Sequence, residues 1–291
     1  MRADPQLTDR WPSGLRLPAL VAMASVLLLV SCSGDPDASD AGTSAPASSA
    51  AGAIWKPKPG TGPWQFQLQG RIDTTVRAPV YEVDGFDVPR RTVRQLRSRG
   101  RRVICYFSAG SWENFRPDRT KFPKSVLGKR YDGYPDERWL DIRRYRLFSK
   151  PLRARIRMCA RKGFDAIEAD NVAGYQNRTG FPLTAADQLE FNRWLARQAH
   201  RNGLSIGLKN DPSQVSQLVA DFDFAVVEQC FQYRECGSFR PFIKAGKAVF
   251  SVEYETPRRR FCARAKKLRF SSIGKRYSLF ARPWRPCRAP G

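Results

Sequence analysis

"GFDAIEADNVAGYQNRTGFPLTAADQLEFNRWLARQAHRNGLSIGLKND" (residues 163–211) joins two short apolar runs through an amphipathic stretch. The runs "FDAIEADN" (164–171) and "LSIGLKND" (204–211) have the length and character of core strands. Between them, "TAADQLEFNRWLARQAHRNG" (184–203) keeps Phe191, Trp194 and Leu195 at helical spacing. Thr184 and Asp187 have the spacing of a capping box, and Gly203 is placed to cap the C-terminus. Strand, helix, strand predicts a parallel pair with a crossover helix.

The alternation extends in both directions. "WQFQL" (64–68), "PVYEVD" (79–84) and "RVICYFSAG" (102–110) precede the unit, and "FDFAVVEQC" (222–230), "AVFSVEY" (248–254) and "RFSSIGK" (269–275) follow it. With the two strands above, the candidates number eight, most of them separated by amphipathic stretches. Such a chain predicts an α/β fold, a single-domain (β/α)8 barrel of the TIM type over residues 54–291. An open doubly wound sheet is the competitor, weakened because no Gly-x-Gly-x-x-Gly loop follows the first strand.

A chain of 291 residues, 42% of them hydrophobic, has enough apolar material for a sizeable core and is not disordered. Its formal net charge of +24 suggests an anionic partner. The Lys and Arg residues, however, are spread over surface stretches such as "RQLRSRGRR" (94–102) and "PRRRFCARAKK" (257–267), with no nucleic-acid-binding module. A solvated basic surface, or one facing acidic envelope material, is expected rather than nucleic acid, and the protein is expected to be a monomer.

Arg2, Arg10 and Arg16 precede the apolar run "LPALVAMASVLLLV" (17–30), the pattern of a secretory signal too short for a comfortable membrane span. "LVSC" (29–32) resembles a bacterial lipobox, so residues 1–31 read as a lipoprotein signal peptide and Cys32 as the lipidated residue. The Ser-, Ala- and Gly-rich segment 32–53 reads as a flexible tether. The expected location is the outer side of a bacterial cytoplasmic membrane, reached by secretion and held by the N-terminal lipid anchor.

Six further cysteines, at 105, 159, 230, 236, 262 and 287, suggest disulfides outside the cytoplasm. Cys230 with Cys236 and Cys262 with Cys287 are the expected pairs. Cys105, in a strand, and Cys159, in a helix, read equally as buried thiols. With no Cys-x-x-Cys pair and His200 as the only histidine, no metal site and no cofactor is expected.

In a barrel of this kind, polar groups that do chemistry gather at the C-terminal ends of the strands. Here strand after strand ends in charge. Asp84 and Asp87 close the second, Ser108 and Gly110 lead to Glu113 after the third, and Glu168, Asp170 and Asn171 close the fourth. Lys209, Asn210 and Asp211 close the fifth, Glu228 the sixth, and Glu253 with Tyr254 the seventh. Converging like charges cost stability unless a ligand or a catalytic role compensates. His200 falls in the last turn of a helix, where a cation suits the helix end, so the sequence argues against a Ser-His-Asp triad and carboxylates remain to do the work. Paired carboxyls are the equipment of a glycoside hydrolase. Trp64, Tyr106, Trp112, Tyr175, Tyr233 and Tyr254 offer rings for sugar stacking, although rim packing is the plainer role for each.

"VICYFSAGSWENFRPD" (103–118), "ERWLDIR" (137–143), residues 163–211, "FDFAVVEQCFQYREC" (222–236) and "GKAVFSVEY" (246–254) resemble the endo-α-1,4-polygalactosaminidases of glycoside hydrolase family 114. The resemblance covers nearly all of Trp64 to Tyr254. It implies a (β/α)8 barrel that cleaves α-1,4-linked galactosamine and N-acetylgalactosamine polymers. Carried over by motif, Asp170 in "EADN" takes the place of the nucleophile and Glu228 in "VEQC" that of the acid/base. A retaining mechanism is expected. Asp84, Tyr106, Glu168, Asn171, Lys209, Asp211, Glu253 and Tyr254 are expected to contact the substrate or orient the acids, with a structural rim ion pair the competing role for the charged ones. A free-amine polymer is cationic and would be repelled at long range by a +24 protein. A catalytically weak or inactive sugar-binding barrel of the cell envelope is the alternative, disfavoured because both acids are present.

Overall fold

The structure, a computed structural model, describes residues 53–287. The expected signal peptide (1–31), Cys32 and all of the tether except Ala53 lie outside the described residues. From β1 (Trp64–Gln67) the chain runs to β2 (Val80–Asp84) and through α1 (Arg90–Ser98) to β3 (Arg102–Ser108). It then forms β4 (Ser111–Glu113), β5 (Leu127–Tyr131) and β6 (Tyr134–Leu140) before α2 (Ser149–Lys162) leads to β7 (Ala166–Asp170). There follow α3 (Ala185–Arg201), β8 (Ser205–Lys209), α4 (Val215–Leu218) and β9 (Phe224–Glu228). The chain ends with α5 (Arg240–Lys244), β10 (Val249–Glu253), α6 (Arg258–Leu268), β11 (Ser271–Gly274) and the short β12 (Arg285–Pro286).

The sheet order is β1-β2-β3-β7-β8-β9-β10-β11-β12, parallel throughout except for the antiparallel β11–β12 pair. The eight strands expected from the sequence are all present, and they form a nearly closed barrel. Period-two alternation sorts their side chains. Trp64, Phe66, Val80, Ile104, Ala166, Phe224, Val226 and Phe250 form one buried cluster inside the barrel. Their sequence neighbours, such as Tyr81, Val103, Ile167, Leu208 and Val227, form a second cluster with Val93, Leu96, Leu152, Ile156, Phe191 and Leu195 of the helices. The inner ring is tight: a side chain at Gly207 would run into the Phe224 ring.

Among the described residues no ladder joins β11 back to β1. The C-terminal segment fills that seam. On one side β12 pairs with β11; on the other, the Leu68 and Gln69 N–H groups donate to the Leu279 carbonyl at 3.1 and 3.3 Å, and Trp284 Nε1 donates to the Trp64 carbonyl at 2.8 Å. Buried Lys275 donates to Gln65 Oε1 and to the carbonyls of Phe280 and Ala281. Burial, then the like charge of Arg282, pushes its pKa down to about 7. The Cys262–Cys287 disulfide fastens the segment to α6.

Cys230 pairs with Cys236 as expected, and a third disulfide, Cys105–Cys159, ties β3 to α2. At α3, the Asp187 N–H donates to Thr184 Oγ1 and the Thr184 N–H to Asp187 Oδ2, a complete capping box. His200 Nε2 lies 2.8 Å from Asp223 Oδ2, and Asp223 sits just before the start of β9, at the opposite end of that strand from Glu228.

One element is absent from the strand reading of the sequence. Between β3 and α2, strands β4, β5 and β6 make a separate antiparallel sheet of order β4-β6-β5. Its hairpin turns at Asp132-Gly133, with Gly133 at φ +82°. Asp-Gly between two strands is a strong hairpin signal.

Candidate active site

Alternation aims Glu82 of β2, Tyr106 of β3, Glu168 and Asp170 of β7, Lys209 of β8 and Glu228 of β9 into the mouth of the barrel, where they meet. Lys209, only 3% exposed, is the hub. Its Nζ lies 3.0 Å from Glu168 Oε1, 3.2 Å from Asp170 Oδ1 and 3.5 Å from Glu228 Oε2. Tyr106 donates its hydroxyl to Asp170 Oδ2 at 2.9 Å. Tyr254, just beyond β10, donates its hydroxyl to Glu228 Oε1 and packs on Tyr277, centroids 4.5 Å apart. Because one ammonium touches both Asp170 and Glu228, their facing oxygens can be no farther apart than those two contacts laid end to end.

The backbone turns sharply behind each of these groups. Asn171 (φ +64°), Asn210 (φ +51°), Asp211 (φ +57°) and Gln229 (φ +57°) are left-handed and follow directly on Asp170, Lys209 and Glu228. Such strain persists where the surroundings over-determine it, and it clusters at functional sites. The surroundings are visible here. The Asn171 N–H donates to Asp170 Oδ1 at 2.7 Å, and its Nδ2 donates to Ser108 Oγ at 2.9 Å and Ser111 Oγ at 3.0 Å. Asn210 Oδ1 accepts the Glu228 N–H at 2.9 Å. Gly110 packs so closely that a Cβ there would fall on the Asn171 carbonyl.

Burial opposes the charge on Lys209, but Asp170, Glu168 and Glu228 outweigh it and hold the ammonium pKa well above its usual value. Burial, then the charge of Asp170, pushes the Tyr106 phenol up; burial, then Glu228, does the same to Tyr254. Both tyrosines therefore remain hydrogen-bond donors. Glu168 is raised by burial, against which the Lys209 charge works.

The inserted sheet forms a wall beside this mouth. Tyr134, at the hairpin tip, is 46% exposed, and its phenol feels the charges of Glu228 and Asp170. Glu137 Oε2 accepts from Ser111 Oγ at 2.6 Å, joining the wall to the Ser108, Ser111 and Asn171 network behind Asp170. Burial pushes its carboxyl up to about 7, with the charges of Glu113 and Asp170 adding to the effect. The sequence reading missed Glu82, Tyr134 and Glu137. The first was signalled by an acid inside the apolar run "VYEVD" (80–84) and the others by the Asp132-Gly133 turn.

Three acids expected to contact sugar are engaged elsewhere. Asp84 is held in a fork by Arg116, at 3.1 and 2.7 Å, and Arg116 also binds Glu113 at 2.8 Å. Asp211 is buried and accepts from Tyr175 at 3.1 Å and Asn192 at 3.4 Å; burial pushes it up to about 7. Glu253 faces outward and accepts the N–H groups of Phe231 and Gln232, so it braces the Cys230–Cys236 loop. The rings also divide. Trp64 starts its strand instead of ending it and is core, stacked on Phe66 at 5.2 Å. Trp112 Nε1 donates to the Arg119 carbonyl on the wall, and Tyr233 is 55% exposed. Among the described residues no group of three or more His, Cys, Asp or Glu is arranged to hold a metal ion.

Ega3 of Aspergillus fumigatus, solved in complex with galactosamine, is 38% identical, with a TM-score of 0.74 over 79% of this chain and 96% of its own. The glycoside hydrolase domain of PelA from Pseudomonas aeruginosa shares the fold, at 14% identity and a TM-score of 0.58 over 75% of this chain and 95% of its own. No curated protein matches the chain. The model of the family described as "Glycoside-hydrolase family GH114" matches residues 44–289, so a barrel with two acids on one buried lysine is a glycoside hydrolase, and the chain belongs to family GH114.

Proposed function

We propose that the protein is an endo-acting hydrolase of α-1,4-linked galactosamine and N-acetylgalactosamine exopolysaccharide, working with retention through Asp170 as nucleophile and Glu228 as acid/base. The observation that carries this reading is the shared ammonium of Lys209, 3.2 Å from one acid and 3.5 Å from the other. Family membership and the galactosamine-bound relative support the substrate class.

Asp170 attacks the anomeric carbon while Glu228 gives its proton to the departing glycosidic oxygen. Asp170 becomes a neutral glycosyl ester, and the negative charge reappears on Glu228. Lys209 touches both acids, so the charge changes carrier without losing its cation. Glu228 then takes a proton from water as its oxygen attacks the anomeric carbon, the bond from that carbon to Asp170 breaks, and Asp170 is released as a carboxylate. Tyr106 and Tyr254 hold the free oxygens of the two acids throughout. Asn171 fixes Asp170 from behind, while Tyr134 and Glu137 offer a stacking face and a negative charge to an amino sugar.

The full chain is to be incubated with partly deacetylated galactosaminogalactan and the released oligosaccharides followed. Cleavage is expected to fall ~10³-fold or more in Asp170→Asn and Glu228→Gln. Undiminished release by both variants refutes the assignment.

We further infer that residues 1–31 export the chain and that Cys32 is lipidated, holding a monomer outside the cytoplasmic membrane. Three disulfides support an oxidising compartment. Labelled palmitate incorporated by the expressed full chain and lost in Cys32→Ser is the expected result; equal labelling of both rules out anchoring at Cys32.

A further inference from the structure

Below the two acids lies a carboxyl that this reaction leaves unused. Glu82, on the inner face of β2, is fully buried, and neither of its oxygens has a hydrogen-bond partner. It faces Glu168, whose Oε1 takes the Lys209 ammonium and whose Oε2 is also unpartnered. What this corner lacks is a donor, since an ionised carboxylate can only accept.

No neighbouring strand supplies one. From β1, Phe66 presents a ring 6.0 Å from Lys209 Nζ. From β3, the Tyr106 hydroxyl is committed to Asp170, and beyond β10 the Tyr254 hydroxyl is committed to Glu228. From β8, Lys209 serves Glu168, Asp170 and Glu228, and Glu228 itself comes from β9. Two adjacent, ionised carboxylates, both fully buried, would repel each other in a low-dielectric interior, and one proton between them turns repulsion into a hydrogen bond.

We propose that Glu82 carries the proton this carboxyl pair shares, donates it to Oε2 of Glu168, and so acts as a positioning residue that keeps Lys209 on the two catalytic acids. Burial, reinforced by the charge of Glu168, holds the Glu82 carboxyl well above the usual range, in line with this. The hydrogen bond takes up part of the charge on Glu168. Without it the bare Oε2 draws the ammonium toward Glu168 and away from Asp170 and Glu228. Turnover then falls, whereas substrate affinity, set at the rim, does not.

The activity arm of the test rests on the function proposed above, and an infrared arm does not. In the full chain at neutral pH, the infrared difference between wild type and Glu82→Gln is expected to hold the C=O stretch of a protonated, buried carboxylic acid; Asp211 and Glu137, raised to about 7, contribute equally to both proteins and cancel. Absence of that band from the difference overturns the proposal whatever the substrate proves to be. On the galactosamine polymer, Glu82→Leu is expected to lower kcat ~10–100-fold at unchanged KM, a loss of the size seen when a supporting residue behind a site is removed. Glu82→Gln keeps a neutral donor and is expected to restore most of that loss. Glu168→Gln, which deprives Lys209 of its anchor, is not. A Glu82→Gln as slow as Glu82→Leu, or a tolerated Glu168→Gln beside a crippled Glu82→Gln, overturns the assignment. If Glu82→Leu does not fold, the infrared band and the Gln pair still decide. A wild type that leaves the polymer intact but shows the band refutes the proposed substrate alone.

Discussion

The same strands carry two different interiors. Toward their starts, Trp64, Phe66, Val80, Phe224 and Phe250 fill the barrel with apolar surface, and each is at most 1% exposed. Toward their ends, Glu82, Glu168, Asp170, Lys209 and Glu228 crowd charge into the next layers. The floor is stable residue by residue, each side chain contributing by leaving water. The mouth is stable only as a set, since its carboxylates tolerate burial because Lys209 and shared protons neutralise them. Floor substitutions should therefore cost stability first, and mouth substitutions activity first.

The largest expected separation is at Asp170→Asn. Its kcat should fall ~10³-fold or more while its melting temperature stays level or rises, because one charge leaves a crowded cluster. Kinetics and thermal unfolding on one preparation check both halves. Phe224→Ala is the mirror case, expected to cost about 3–5 kcal/mol in denaturant unfolding with kcat of the folded fraction kept. Lys209→Met joins the two, because it strands Glu168 and Asp170 without a cation and should cost about 3–5 kcal/mol together with nearly all activity.

The seam gives a smaller effect. Opening the Cys262–Cys287 bridge, which spans 25 residues, should cost about 3 kcal/mol. Lys275 adds a pH signature there. Its folded pKa, about 7, lies below the 10.5 of a free lysine, so the folded protein binds fewer protons between those values. The stability of the wild type relative to Lys275→Met should therefore rise as pH climbs from 7 to 10.5, and a flat difference would remove Lys275 from the account. The smallest effect is at Glu137, whose carboxyl titrates near 7. As pH falls below that value Glu137 loses its charge, so KM for a free-amine polymer should rise, and Glu137→Gln should flatten this limb.

The barrel was legible because alternation and the Thr184–Asp187 cap are local signals. Asp170, Lys209 and Glu228 were legible as charges ending consecutive strands. Asp84 stayed open between a sugar contact and a rim ion pair because its partner, Arg116, arrives from the inserted wall, and no local pattern announces such a long-range pairing. Glu253 was decidable in principle: the next residue, Tyr254, points inward, so Glu253 must point out. The seam was not, because β12 has two residues and no period to read.

In the proposed mechanism one charge passes between two acids that share Lys209. Proton NMR of the first product released from an α-linked galactosamine oligomer reads the outcome. An α-anomer that later mutarotates is predicted, as double displacement at Asp170 requires. A β-anomer appearing first would mean that water, not Asp170, attacks the sugar, and would contradict the account.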